Sequence, residues 1–107
     1  DANGSIPNFN KDGELVSIGV GSAKILYKDI RSAVVDYGIN FETALSLITI
    51  NPARALKLYP RKGTLSEKSD ADLVLLDKDL NIHTVIAKGK TMVQNYEAVV
   101  RGFFERK

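Results

Sequence analysis

The residues able to do chemistry are few and scattered. Asp1 heads the run Asp1-Ala2-Asn3-Gly4-Ser5. Its carboxylate could act as a general base or as a metal ligand. Ser5 in the same run could hydrogen-bond a substrate carboxylate. In a stretch this rich in Gly and Asn, residue type alone makes Asp1 a turn former and Ser5 a turn residue. Asp70 and Asp72 flank Ala71 just ahead of an apolar run. Paired carboxylates can bind a metal or serve as acid and base. An aspartate at a strand entry also caps backbone N–H groups and blocks edge pairing. His83 is the single histidine. A hydrolytic zinc site usually takes three protein ligands, often several histidines, so His83 cannot build one and reads as a strand residue. Arg54, Arg61 and Lys62 could hold an anion or form a solvated face. Gly63 and Gly89 lack the spacing and Lys-Ser context of a phosphate loop. No motif supports a Ser-His-Asp or Cys-His set.

The composition that carries these side chains is that of an ordinary soluble protein. A length of 107 residues holds one small domain, not two. The hydrophobic share is 44% and the charged share 26%, both usual for globular chains. Net charge is +2, and the cations are interleaved with acids, as Lys68 is with Glu67 and Asp70. There is no basic stripe and so no case for nucleic acid. No apolar run approaches the ~20 residues that span a membrane; these residues hold no signal peptide, although a cut N-terminus could have lost one. The absence of cysteine excludes a disulfide framework and thiolate zinc sites. It fits a cytoplasmic protein. The chain opens on Asp1 and its one methionine is Met92, so it is expected to be a processed chain or a piece of a longer one.

Residues 1–21 read as a loop punctuated by Gly, Pro and Asn, with a tight turn at Asn10-Lys11-Asp12-Gly13. Leu15 to Ile18 could be a short strand or an extended plug. A first helix is predicted over 22–37, because Leu26, Ile30, Ala33, Val34 and Tyr37 share one face. Gly38 supplies its left-handed stop. Asn40 caps a second helix, whose buried stripe is Phe41, Ala44, Leu45 and Ile48. A third begins at Asn51-Pro52, with Asn51 as cap and Pro52 in the first helical position. Tyr59-Pro60 ends it. Strand-like runs follow at 73–76, 82–87 and 91–94. Gly89 and Asn95 mark turns, and 98–100 is extended again. Helices segregated from strands give an α+β chain, or parts of two layers.

Three segments in this order resemble the C-terminal part of a metal-dependent amidohydrolase. They are Asp1-Ala2-Asn3-Gly4-Ser5; then Asn51-Pro52-Ala53-Arg54-Ala55-Leu56; then Gly63-Thr64-Leu65 with Ser69-Asp70-Ala71-Asp72-Leu73-Val74-Leu75-Leu76-Asp77 and Val85-Ile86-Ala87-Lys88-Gly89-Lys90. The first segment, with Ile18-Gly19-Val20-Gly21, is similar to the isoaspartyl (β-aspartyl) dipeptidases. The resemblance runs over essentially the whole chain. One departure is Lys68, where that family usually has glycine.

The resemblance implies a fold and a chemistry. Residues 1–60 would be the end of a (β/α)8 catalytic barrel, namely the strand-eight loop and the last helices. Residues 61–107 would be strands of the small β-sandwich domain beside it. Two zinc ions, bridged by a carboxylated lysine and held by histidines, would lower the pKa of a bridging water that attacks the β-aspartyl peptide bond. Asp1 would take the proton from that water, deliver it to the leaving amine, and lie close enough to zinc to be a ligand. Ser5 would contact a substrate carboxylate. The zinc-binding histidines match nothing in this chain. The 107 residues alone are therefore expected to be catalytically silent. They should be poorly folded or oligomeric, since a helical stripe and strand edges would lack the remainder of the amidohydrolase chain. The parent is expected to be a homo-oligomer. Two other readings stand beside this one. One is a related amidohydrolase of D-aminoacylase or dihydroorotase type. The other is a non-catalytic assembly module in which Asp1 is a turn residue.

Overall fold

The structure, a computed structural model, describes residues 3–103. Two compact units divide between Ala44 and Leu45.

The first unit opens with a β-hairpin. Strands β1 (Ser5–Phe9) and β2 (Leu15–Val20) pair antiparallel, with Ser5 opposite Val20 and Pro7 opposite Ile18. The register slips between Asn8 and Phe9. The expected turn is present. The Asn10 side-chain oxygen accepts the N–H groups of Asp12 (3.0 Å) and Glu14 (2.9 Å), and Gly13 sits at φ +82. The expected loop is corrected to a hairpin over the described part of 1–21, in which Leu15 to Ile18 takes the strand alternative and not the plug. Pro7 is admissible because a two-stranded sheet needs only one hydrogen-bonded edge per strand. Both strands are exposed, so no apolar alternation betrays them.

Helix α1 (Lys24–Val35) follows. It ends as its sequence demands. Gly38 takes φ +70 and donates to the Val34 carbonyl at 3.2 Å, the 5→1 bond of an αL closure, while Ile39 N–H reaches the Ala33 carbonyl at 2.9 Å. On its apolar face Ile30 is 9% exposed, Ala33 and Val34 are half-buried, and Leu26 is exposed. Tyr37, just past the helix, is 80% exposed. Helix α2 (Phe41–Ser46) starts where Asn40 accepts the Thr43 N–H at 3.1 Å, the expected cap. Ala44 is buried, but Phe41 is exposed.

In the second unit, helix α3 spans Ile50–Ala55 and starts two residues earlier than Asn51-Pro52 suggested. Ala53 N–H donates to Thr49 O at 3.2 Å, so the helical ladder already begins at Thr49. Asn51 is therefore inside the helix and not its cap. Pro52 occupies the third position, where a missing N–H still costs nothing. A four-stranded antiparallel meander completes the unit. Its strands are β3 (Leu73–Leu76), β4 (Ile82–Ala87), β5 (Lys90–Gln94) and β6 (Glu97–Ala98), in spatial order of sequence. The β4–β5 turn uses Lys88 at φ +47 and Gly89 at φ +77. The β5–β6 turn uses Asn95 at +50 and Tyr96 at +68. Two successive left-handed residues match the strand twist in such short hairpins.

Helices followed by an antiparallel sheet agree with the expected α+β class. Among the described residues, only Ile30, Ala44 and Ala53 form buried apolar positions. Large apolar side chains lie bare on both units, including Val20 at 72% exposure. No described helix is long and apolar enough to cross a membrane.

Candidate functional site

Asp1 and Ala2 lie outside the described residues; Asn3, Gly4 and Ser5 lie within them. Ser5 opens β1 and is exposed. Two backbone hydrogen bonds extend the hairpin ladder beyond it. Asn3 N–H donates to Gly21 O at 2.8 Å, and Gly21 N–H donates to Gly4 O at 2.7 Å. Gly21 is buried. Asn3 sits at φ +62, a conformation asparagine tolerates better than most residues. Residues 3 to 5 are thus pinned to the far end of β2. The hairpin fixes the backbone from Asn3 to Ser5 and leaves Ser5 accessible.

The aspartate pair at β3 is brought together, but around a lysine. Lys62 Nζ lies 2.9 Å from Asp70 and also bonds Asp72. The other Asp72 oxygen accepts the Lys88 N–H at 2.8 Å. The hydrogen bond from the Lys62 ammonium, then that from the Lys88 N–H, holds the Asp72 carboxyl below the usual aspartate range. The two carboxylates, Asp72 first, push the Lys62 ammonium up. This is a backbone tie between the segment before β3 and the β4–β5 turn, reinforced where Gly89 N–H meets Ala71 O at 2.9 Å. Of the roles open to Asp70 and Asp72, the geometry matches that of aspartates satisfying a strand entry. Lys62 is also corrected: it is neutralised by carboxylates and does not hold an anion. Arg54 lies 4.9 Å from the centre of the Tyr59 ring, a cation–π placement.

His83 is half-buried on β4. Its Nδ1 is 2.8 Å from the Thr84 hydroxyl, and its ring meets Tyr96 edge-on at 4.8 Å. Tyr96 in turn donates its hydroxyl to Asp77 at 3.0 Å. Asp77 also accepts the N–H groups of Asn81 (2.8 Å) and Asp79 (2.9 Å). These bonds, that from Asn81 N–H first, lower the Asp77 carboxyl, and Asp77 raises the Tyr96 phenol. Sequence reasoning missed this tie. The Asp77-to-Asn81 spacing signals the turn, but nothing in the sequence signals Tyr96 as its partner.

Among the described residues there is no group of three or more His, Cys, Asp or Glu that could hold a metal ion. His83 is engaged with Thr84 and Tyr96, and Asp72 with Lys62. The described residues therefore do not fit a metal centre.

Comparison with known proteins extends over most of the chain. The model of the Amidohydrolase family matches residues 2–92. The N-acetylglucosamine-6-phosphate deacetylase of Bos taurus is 39% identical over 61 residues, covering 57% of this chain and 15% of the deacetylase. An adenine deaminase of Methanosphaera stadtmanae is 36% identical over 78 residues, covering 71% of this chain and 14% of the deaminase. The crystal structure of a β-aspartyl dipeptidase from Fervidobacterium islandicum AW-1, in complex with a β-Asp-Leu dipeptide, matches with a TM-score of 0.76 and 34% identity. It covers 96% of this chain and 26% of that one. The chain spans roughly a seventh to a quarter of the length of these relatives.

Proposed function

This chain belongs to the amidohydrolase family, and on that premise we propose that it is part of a metal-dependent β-aspartyl (isoaspartyl) dipeptidase. One observation carries the reading: the likeness to a β-aspartyl dipeptidase structure extends over nearly the whole chain, at an identity that speaks for more than fold. In this reading residues 1–60 close the catalytic barrel and residues 61–107 supply strands to the small β-domain. Asp1 is the proton carrier that serves the attacking water and then the leaving amine. Ser5 donates its hydroxyl to a carboxylate of the dipeptide. The hairpin ladder at Asn3, Gly4 and Gly21 holds the backbone that leads into Ser5.

The proposal includes zinc, two ions, with Asp1 as the one ligand from this chain. The remaining ligands come from the rest of the parent chain, since the described residues fit no metal centre. That parent also covers the bare faces of α1 and of the β-meander. The 107 residues alone are inactive and self-associate in this reading, and the intact protein is a cytoplasmic homo-oligomer.

A second reading is favoured by the deacetylase and deaminase relatives: an amidohydrolase acting on another C–N bond. A substrate panel on the intact protein separates the two. Hydrolysis of β-aspartyl dipeptides, with no turnover of N-acetylglucosamine 6-phosphate or adenine, supports the dipeptidase. The reverse pattern removes it.

A further inference from the structure

We propose that Asn3 is a site of spontaneous deamidation, and that this chemical change acts on the candidate active-site segment itself. Among the asparagines only Asn3 precedes glycine. The reaction needs the next residue's backbone nitrogen to reach the asparagine side-chain carbon, and a glycine there has no side chain to obstruct it. Asn8, Asn10, Asn40, Asn81 and Asn95 precede larger residues, and Asn51 precedes Pro52, which has no N–H.

The structure adds two observations. Asn3 is exposed. The two hydrogen bonds that pin this segment use the Asn3 N–H and the Gly4 carbonyl, so neither of them ties the Gly4 nitrogen, the attacking atom. Asp12-Gly13, whose succinimide would form by loss of water, differs on this point. There the Gly13 N–H donates to the Asn10 carbonyl at 3.1 Å.

The steps balance without any agent but water. The Gly4 nitrogen bonds to Asn3 Cγ, the Cγ–Nδ2 bond breaks and ammonia leaves, closing a five-membered imide. Water then opens the ring at either carbonyl. Opening at the side-chain carbonyl leaves aspartate at position 3. Opening at the main-chain carbonyl leaves isoaspartate, with one more methylene in the backbone. Both products place a new carboxylate between Asp1 and Ser5 in the sequence, and a like charge raises a neighbouring carboxyl pKa. The isoaspartate also breaks the register of the ladder to Gly21. The functional consequence rests on the dipeptidase reading; the modification does not.

The test follows the purified intact protein as it ages at mildly alkaline pH. Peptide mass spectrometry with fragmentation separates aspartate from isoaspartate at each asparagine. Conversion at residue 3 ahead of the other six asparagines, abolished in Asn3→Gln, is the expected result. Residue 3 remaining an amide while other asparagines convert, or after a free peptide of residues 2–6 has converted, overturns the proposal. The isoaspartyl form, separated by ion exchange, should lose kcat on a β-aspartyl dipeptide in proportion to its isoaspartyl content. Full activity in that fraction overturns the functional consequence. Absence of activity in unaged protein counts against the dipeptidase reading and leaves the mass result standing.

Discussion

Gly63 lies so close to Ala53 that a β-carbon at position 63 would sit 2.6 Å from the Ala53 β-carbon and 2.7 Å from the Thr49 carbonyl oxygen. This contact joins two of the sequence segments that carry the family resemblance, Asn51 to Leu56 and Gly63 to Leu65. They occur together because the chain returns across α3 at a point where only glycine fits. Ala53 is buried there, and its small side chain is part of the same fit.

Gly63→Ala should therefore be among the most damaging small substitutions in the chain. The residue sits at φ +82, where a side chain is strained, and its new methyl would meet the Ala53 β-carbon and the Thr49 backbone, neither of which is the end of a flexible side chain. The left-handed strain and the overpacking together cost about 2–4 kcal/mol. Urea unfolding of the intact protein measures it. A loss below about 0.5 kcal/mol, the ordinary surface range, would contradict the contact.

Lys68→Gly should do the opposite. Lys68 is the residue that departs from the resembling family's glycine, and it adopts φ +69. It lies in a turn closed by Ser69 N–H on Ser66 O at 3.1 Å, and the third position of such a turn favours glycine when φ is positive. Relief of left-handed strain, less the extra chain entropy of glycine, leaves a net gain of about 0.5–1 kcal/mol. A rise in thermal midpoint is the readout; a fall would show that the Lys68 side chain is needed.

Acid should loosen the tie at Lys62. Asp72 is held below the usual aspartate range by Lys62 first and the Lys88 N–H second. A carboxyl depressed on folding binds protons more weakly in the native state. Its contribution is therefore complete above the ordinary value of about 4 and is lost as pH falls through the folded value. Urea unfolding at a series of pH values should show a steeper acid loss for the wild type than for Lys62→Met. Equal slopes would mean that the pair does not couple to folding. The Tyr96 phenol, raised by Asp77, runs the other way. Its contribution is complete below the ordinary value of about 10 and is lost as pH rises through the folded value.

Much of the fold was legible in the residues. Gly38 stops α1, Asn40 caps α2, and Gly89 turns β4 into β5, each through local chemistry that a sequence exposes. Of the β1–β2 hairpin, Leu15 to Ile18 was legible as a possible strand and lies in β2; β1 was hidden because it is exposed and interrupted by Pro7. The start of α3 was misplaced because Pro52 is admissible anywhere in a first turn. The site was less legible. Asp70 and Asp72 look alike as metal ligands or as strand-entry caps. Lys62, which distinguishes the two, is brought there by the chain's return past Gly63. The shared role of Asp77 and Tyr96 depends on two hairpins meeting, which no local pattern records.

Ser5→Ala in the intact protein should act on substrate binding more than on turnover. Loss of a hydrogen bond to a charged carboxylate raises KM roughly tenfold or more, with kcat little changed. A fall in kcat at constant KM would assign Ser5 a different role.

The most direct test is kcat of Asp1→Asn on a β-aspartyl dipeptide in the intact protein, beside the wild type. An active wild type, with the variant reduced about 10²–10⁴-fold, is the predicted result for loss of the proton carrier. Activity retained within about twofold would contradict it, since a general acid/base cannot be dispensed with at that cost, and would leave Asp1 a turn residue in a structural segment.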